Sequence, residues 1–432
     1  MTGTIAPAGV MGLTFNGACV TAHPSWINGL DPATSRPHHG AMIANDPQPP
    51  IAAATRVIEP ALIALRRDLH AHPELAFHET RTAGVVADTL RRLGIPHRTG
   101  VGGTGVVGTI AGARPGPTLV LRADMDALPI LEQTGLPYAS TVPGRMHACG
   151  HDIHTATLLG AAEILAPMAA QLAGTIRLIF QPAEEIGAGA RAMIDEGAMD
   201  GADLAIGFHN YPGMPTGRIG FCRGACMAAV DVFDIVLTGR SGHAAHPDEC
   251  IDPIAAAGVL IGQLQTIVAR EIRPTQACVV TVAAIHAGEA TNTIPDICTL
   301  RGTVRTLDAA VRDQAEAALR RVCAGVGSSM RVTADVTYVR EIPPTLNDAP
   351  LTDRVMAAIA AQLGDVVDEG EPSLGGEDFA LMAELVPSCH VRIGAGAPGR
   401  HDRLHNSDYQ PDEACIGLGV QALVRAAAEI LR

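Results

Sequence analysis

Residues 175–185, TIRLIFQPAEE, carry a run of β-branched and aromatic residues directly into two adjacent carboxylates, Glu184 and Glu185. A short apolar run closed by Pro reads as a buried strand. Residues 118–126, TLVLRADMD, repeat the construction and end on Asp124 and Asp126, and residues 204–210, LAIGFHN, end on His209-Asn210. Between residues 126 and 175 lies MHACGHD, 146–152, followed by a helical pattern at 155–165. With further helical patterns at 56–72, 80–93 and 188–196, the alternation predicts an α/β domain, a mixed sheet with helices on both faces. Ligand sites of open α/β sheets lie outside the carboxyl ends of strands, so these polar tails are expected to converge.

The pattern changes after residue 223. Strand, helix, strand, strand, helix and strand signals follow at 230–238, 253–269, 277–285, 299–305, 309–325 and 330–340. That βαββαβ order predicts an inserted ferredoxin-like α+β unit. The chain then returns through a helix at 351–363, a strand at 390–393 and a closing helix at 415–431. The expected organisation is a disordered leader at 1–50, an α/β domain in two parts at 51–224 and 341–432, and the insertion at 225–340. Met42, inside the leader, is a candidate natural start. GTGVVG at 103–108 matches a dinucleotide fingerprint in letters, but AGARPGP at 111–117 cannot open the helix that fingerprint needs. A Gly-rich hairpin is expected there.

All 31 residues of the Lys+Arg total are Arg. A chain without Lys has no Schiff-base amine and no phosphate-loop ammonium. The net charge of −14, the absence of an Arg run and only 3% aromatic residues argue against nucleic-acid binding. No stretch approaches the roughly 18 uninterrupted apolar residues that span a bilayer, so no membrane partner is expected. Ten scattered Cys in a long chain read as reduced thiols, which predicts a cytoplasmic protein.

Acid, thiol and imidazole groups converging in one place have the composition of a transition-metal site. Adjacent glutamates add a further use, because one can bind metal while its neighbour serves as a general base. Alone, His209 would be an ordinary hydrogen-bonded polar residue and Cys149 a small buried apolar one. Their recurrence on successive strand ends favours the site. The chemical rival is a nucleophilic Cys149 with His154, His209 or His405 as its base.

The motifs LHAHPEL (69–75), RADMDALP (122–129), HACGHD (147–152), QPAEE (181–185), GHAA (242–245), TNTIPD (291–296), GGEDF (375–379) and LHNSD (404–408) occur in this order. Together they resemble the metal-dependent amidohydrolases that include hippurate hydrolase, aminoacylases and the plant auxin-conjugate hydrolases, a group of dinuclear metallopeptidases. The resemblance covers the chain from about residue 55 onward. It implies an α/β catalytic domain interrupted by a lid and dimerisation domain. It also implies two divalent metals held by Cys149, bridging, with His151, Glu185, His209 and His405. Glu184 would be the general base and Asp126 would orient a ligand. His243, with Asn292, would face the developing oxyanion, from the partner subunit in some relatives, which implies a homodimer or higher homo-oligomer. Of two Arg on one strand, Arg301 and Arg305, the second is preferred as the reader of a substrate carboxylate, and Glu377 is expected to line the site.

The implied activity is hydrolysis of a small N-acyl amino acid, hippurate-like, to a carboxylic acid and an amino acid through a metal-activated water. The alternatives are a dipeptidase or carboxypeptidase of the same superfamily and a metal-containing binding protein without catalysis. Thiolate and imidazole suit zinc, and carboxylate positions also admit manganese, cobalt or nickel.

Overall fold

The computed structural model describes residues 51–364, 366–368 and 371–432; the expected leader and Met42 lie outside them. Charge-free runs of Leu, Val and Ile form the middle of an eight-stranded mixed sheet. Its order is His97–Val101, Gly105–Ala111, Ala173–Gln181, Arg114–Asp124, Leu204–Pro215, Ser388–Gly396, Ile219–Phe221 and Val366–Asp368. The strands Ala173–Gln181, Arg114–Asp124, Leu204–Pro215 and Ser388–Gly396 run parallel, and the first two in the order form an antiparallel hairpin. The Gly-rich segment at 103–108 is the turn and second strand of that hairpin.

Strand alternation distributes the core between two faces. Leu119 and Leu121 join the cluster under the helices Ile51–Ala71, His151–Met168 and Ala414–Ile430, whereas Val120 joins Ile179, Ala205 and Phe379 on the opposite face. His151–Met168 is buried almost all round, and a helix packed on every side is apolar on every side. By length and composition alone, His151–Gln171 and Pro253–Glu271 are apolar enough to cross a membrane, although neither is an uninterrupted apolar run, and most of the first is buried inside the fold.

The strands Cys278–Ala287, Ile297–Thr306, Ala229–Thr238 and Thr333–Ile342 form a separate antiparallel sheet in that order. The helices Pro253–Thr266 and Ala309–Met330 cover one face, over Phe233, Ile235, Leu237 and Val304. The second helix runs five residues beyond the expected Gly325. Burial of Val326 offsets the roughly 1 kcal/mol that a helical Gly costs.

Candidate metal centre

The parallel strands end together, and their tails meet. Cys149 Sγ lies 3.4 Å from His209 Nε2. His209 Nδ1 donates to its neighbour's carbonyl, Asn210 O, at 2.6 Å, which turns the Nε2 lone pair toward the thiol. His151 opens the helix His151–Met168; its Nδ1 is 3.2 Å from Asp126 Oδ1, and its Nε2 faces Glu185 Oε1 at 3.7 Å and Glu184 Oε2 at 4.0 Å. His405 Nε2 is 3.3 Å from Glu185 Oε2. The result is two triads, Cys149–His151–His209 and Cys149–Glu185–His405, each with its donor atoms within 4.8 Å of one another and both including the same sulfur.

This donor set fits divalent cations. His151 Nε2 and Glu185 Oε1 are buried without a hydrogen-bond partner, a costly arrangement unless a cation satisfies them. Burial pushes the Cys149 thiol up, with Glu185 adding to it, and burial brings the Glu185 carboxyl up to about 7. Positive charge placed between them would reverse both shifts. The rival nucleophilic reading fares poorly here. Burial and His154 lower the His209 imidazole to about 3, so it is a weak base for a thiol whose own proton is tightly held.

The backbone is held as firmly as the donors. Asp126 accepts the N–H groups of Glu184 and Glu185 at 3.1 and 3.0 Å while also meeting His151, so a single carboxylate orients three residues of the site. Gly150, between Cys149 and His151, has φ +88°, and a Cβ there would lie 2.3 Å from Asn210 Nδ2. Asn210 Nδ2 donates to Cys149 O at 2.8 Å. Ala183 and His405 also hold left-handed backbone, at φ 53° and 63°. Such non-glycine conformations cost on the order of 1–3 kcal/mol and cluster at functional sites.

Beside the triads Arg122 binds Asp124 at 2.7 Å, Asp378 at 2.8 Å, Gln181 at 2.9 Å and Glu377 at 3.1 Å, all fully buried. Burial raises the Glu377 carboxyl, but Arg122 and then His390 outweigh it and hold it at about 2. Glu184 has no such partner. Burial, then the charges of Glu377 and Glu185, keep its proton affinity well above the usual carboxylate range.

The triads open onto a cavity of about 660 Å³ whose walls include Glu184, Glu377, Arg305, Met227, Val230 and Leu374. Cys149, Glu185, His209 and His405 also line it, and His151 and Asp126 stand directly behind them. Two expected residues lie elsewhere. His243 is exposed on the short strand Gly242–His243, paired with Thr293–Ile294 next to Asn292, and neither His243 nor Asn292 lines the cavity. Arg301, the alternative to Arg305, pairs with exposed Asp234 at 2.7 Å.

Sequence reasoning gave no role to Arg122, Asp124, Asp378, Asn210 or Tyr409, and considered His154 only as a base in the rival reading. His154 Nδ1 donates to Asp124 at 2.6 Å, Asn210 N donates to His154 Nε2 at 2.9 Å, and Tyr409 OH donates to Asn210 Oδ1. The available signal was the alternation in RADMD, which sends Arg122 and Asp124 to one side of the strand.

Known proteins resemble the chain over most of its length. N-acetylcysteine deacetylase of Bacillus subtilis (strain 168) is 41% identical over 88% of this chain and 99% of its own length. Thermostable carboxypeptidase 1 of Saccharolobus solfataricus is 40% identical over 85% of this chain and 94% of its own. A crystal structure of a Bacillus subtilis protein described as a dinuclear metal binding peptidase from the M20 family superposes with a TM-score of 0.78 at 39% identity, covering 87% of this chain and 99% of that one. A sequence profile for the peptidase family M20/M25/M40 matches residues 120–429, and the chain belongs to that family.

Proposed function

We propose that this hydrolase cleaves N-acyl amino acids, hippurate-like in form, to a carboxylic acid and a free amino acid, with Glu184 as the general base. The observation that carries this reading is the contrast within the adjacent pair. Glu185 faces both His151 and His405, at 3.7 and 3.3 Å, whereas Glu184 meets only His151, at 4.0 Å, and reaches the cavity with no hydrogen bond to its carboxylate among the described residues. A binding protein without catalysis has no use for such a group.

Two divalent cations, zinc or manganese with cobalt and nickel also suited, held by Cys149, His151, Glu185, His209 and His405, would supply the charge that acidifies a water and polarises the amide carbonyl. Glu184 takes the water's proton as its oxygen attacks, and returns that proton to the leaving amine nitrogen. Asp126 keeps Glu184 in place by holding its N–H, and Arg305 receives the substrate carboxylate at the far wall. Glu184→Gln should retain bound metal while kcat falls about 10³-fold. Metal analysis beside turnover of hippurate and N-acetyl amino acids checks this, and unchanged turnover would sink the assignment.

Residues 225–340 are read as a lid and dimerisation domain, with a homodimer as the working form. The exposed face of Pro253–Thr266 presents Ile254, Ala255, Gly258, Val259 and Gly262 at helical spacing, which suits close approach of a second copy. In such a dimer His243 and Asn292 act at the partner's site. Mixing His243→Ala with Glu184→Gln subunits then restores activity that neither variant has alone, since one site of each mixed dimer regains both residues. Failure to complement places His243 in its own subunit or outside the reaction. Apart from Cys222, the described cysteines are free thiols, which supports a cytoplasmic placement. A carboxypeptidase or dipeptidase is the second reading, favoured by the carboxypeptidase relative, and competition between dipeptides and N-benzoyl amino acids separates the two.

A further inference from the structure

The strand Thr333–Ile342 is irregular where it reaches the cavity. Arg340 pairs with Asp231, the next pair is Ile342 with Val230, and Glu341 between them has no cross-strand partner. In a regular strand Glu341 and Ile342 would face opposite sides of the sheet. A bulge re-aims a side chain, and here both residues line the same cavity wall as Arg305, itself paired with Val230 from the other side. Arg340, just before the bulge, faces the helical side, where it binds Asp313 and Glu316. Glu341 therefore faces the cavity by alternation from Arg340, and the bulge brings Ile342 to the same wall, beside Val230, Val232 and Arg305.

We propose that Glu341 is a specificity-determining residue that restricts the Arg305 end of the cavity to substrates with a single carboxylate. This rests on the N-acyl amino acid reading above and names its substrate class. Arg305 is the only guanidinium among the residues lining the cavity, and the chain has no Lys to add a second cation. Among the charges acting on Arg305, that of Glu341 is the largest, ahead of Asp231. One substrate carboxylate satisfies Arg305. A second, as in an N-acyl aspartate or glutamate, meets Glu341 with no cation left to pair it. Selectivity then comes from repulsion of the wrong substrate as much as from attraction of the right one.

The test compares kcat/KM for N-acetylmethionine and N-acetylglutamate in the wild-type holoenzyme and in Glu341→Gln. The wild type should prefer N-acetylmethionine, and Glu341→Gln should raise the glutamate-to-methionine ratio about tenfold, mostly through KM. Glu341→Ala should shift the ratio the same way, which controls for a new contact made by Gln. Equal changes for both substrates would show Glu341 acting only through Arg305, and an unchanged ratio or a wild-type preference for glutamate would equally overturn the proposal. If the wild type turns over no N-acyl amino acid, the parent reading itself fails and this one falls with it.

Discussion

The two sheets handle charge in opposite ways. At the carboxyl end of the eight-stranded sheet, Arg122, Asp124, Glu377 and Asp378 are almost wholly excluded from solvent and bonded to one another. On the open face of the four-stranded sheet, Arg301 and Asp234 pair in water and Arg305 waits half-buried beside Glu341. Buried charge must be fully paired or the structure pays several kcal/mol, which makes the first arrangement rigid. Exposed charge is screened and adjustable, which suits a wall that reads substrates. Groups that do chemistry need fixed positions, whereas groups that select a ligand need only the right sign in the right place.

The largest break in that comparison comes from Arg122→Leu. It strands three buried carboxylates, and the loss of stability should be about 3–5 kcal/mol, read as a fall in denaturant midpoint. The pH dependence should also change. In the wild type Glu377 is held at about 2 against an ordinary 4.5, so its contribution is complete above pH 4.5 and lost as pH falls toward 2. Without Arg122, burial raises the buried carboxyls, and the variant should gain stability relative to the wild type as pH falls and they take up protons. A variant as stable as the wild type at neutral pH would show that the cluster is not paired through Arg122.

Asp126→Ala tests the same rigidity at the triads. It frees the N–H groups of Glu184 and Glu185 and the Nδ1 of His151 without removing a proposed donor atom. Metal affinity should drop up to about 100-fold, measured by competition with a chelator. Retained affinity with lost turnover would instead move Asp126 from orienting ligands to the reaction itself.

These two regions also differed in how much of them could be read from the sequence. The strand-end motifs announced themselves because Asp126, Glu184, Glu185 and His209 each follow an apolar run, and chain order alone put them at one end of a sheet. Arg122 was present in a quoted motif, yet its partners Glu377 and Asp378 lie more than 250 residues away in another, GGEDF, and nothing local links the two segments. The short strands Ile219–Phe221 and Val366–Asp368 were missed because three residues give no periodicity. Glu341 was invisible for another reason. Its place beside Arg305 depends on two strands registering on Val230 from either side, which residue type does not announce.

The sharpest form of the comparison lies within a single strand. Arg301 and Arg305 occupy one face of Ile297–Thr306 four residues apart, so sequence spacing makes them equivalent. Their surroundings do not. Arg305 Nη1 lies 3.3 Å from the point where a Cβ on Gly376 would sit, close against the loop that supplies Glu377, and burial lowers its guanidinium's proton affinity. Arg305→Met should raise KM for N-acetyl amino acids about tenfold, the value of a hydrogen bond to a charged group, with a smaller change in kcat. Arg301 is 73% exposed and paired with a half-exposed Asp234. Exposed pairs of this kind contribute about 0–1 kcal/mol, so Arg301→Ala should leave KM unaltered and stability within about 0.5 kcal/mol. If the two substitutions raise KM equally, the cavity extends along the strand to Arg301 and the distinction between a reading wall and an ordinary charged surface must be redrawn there.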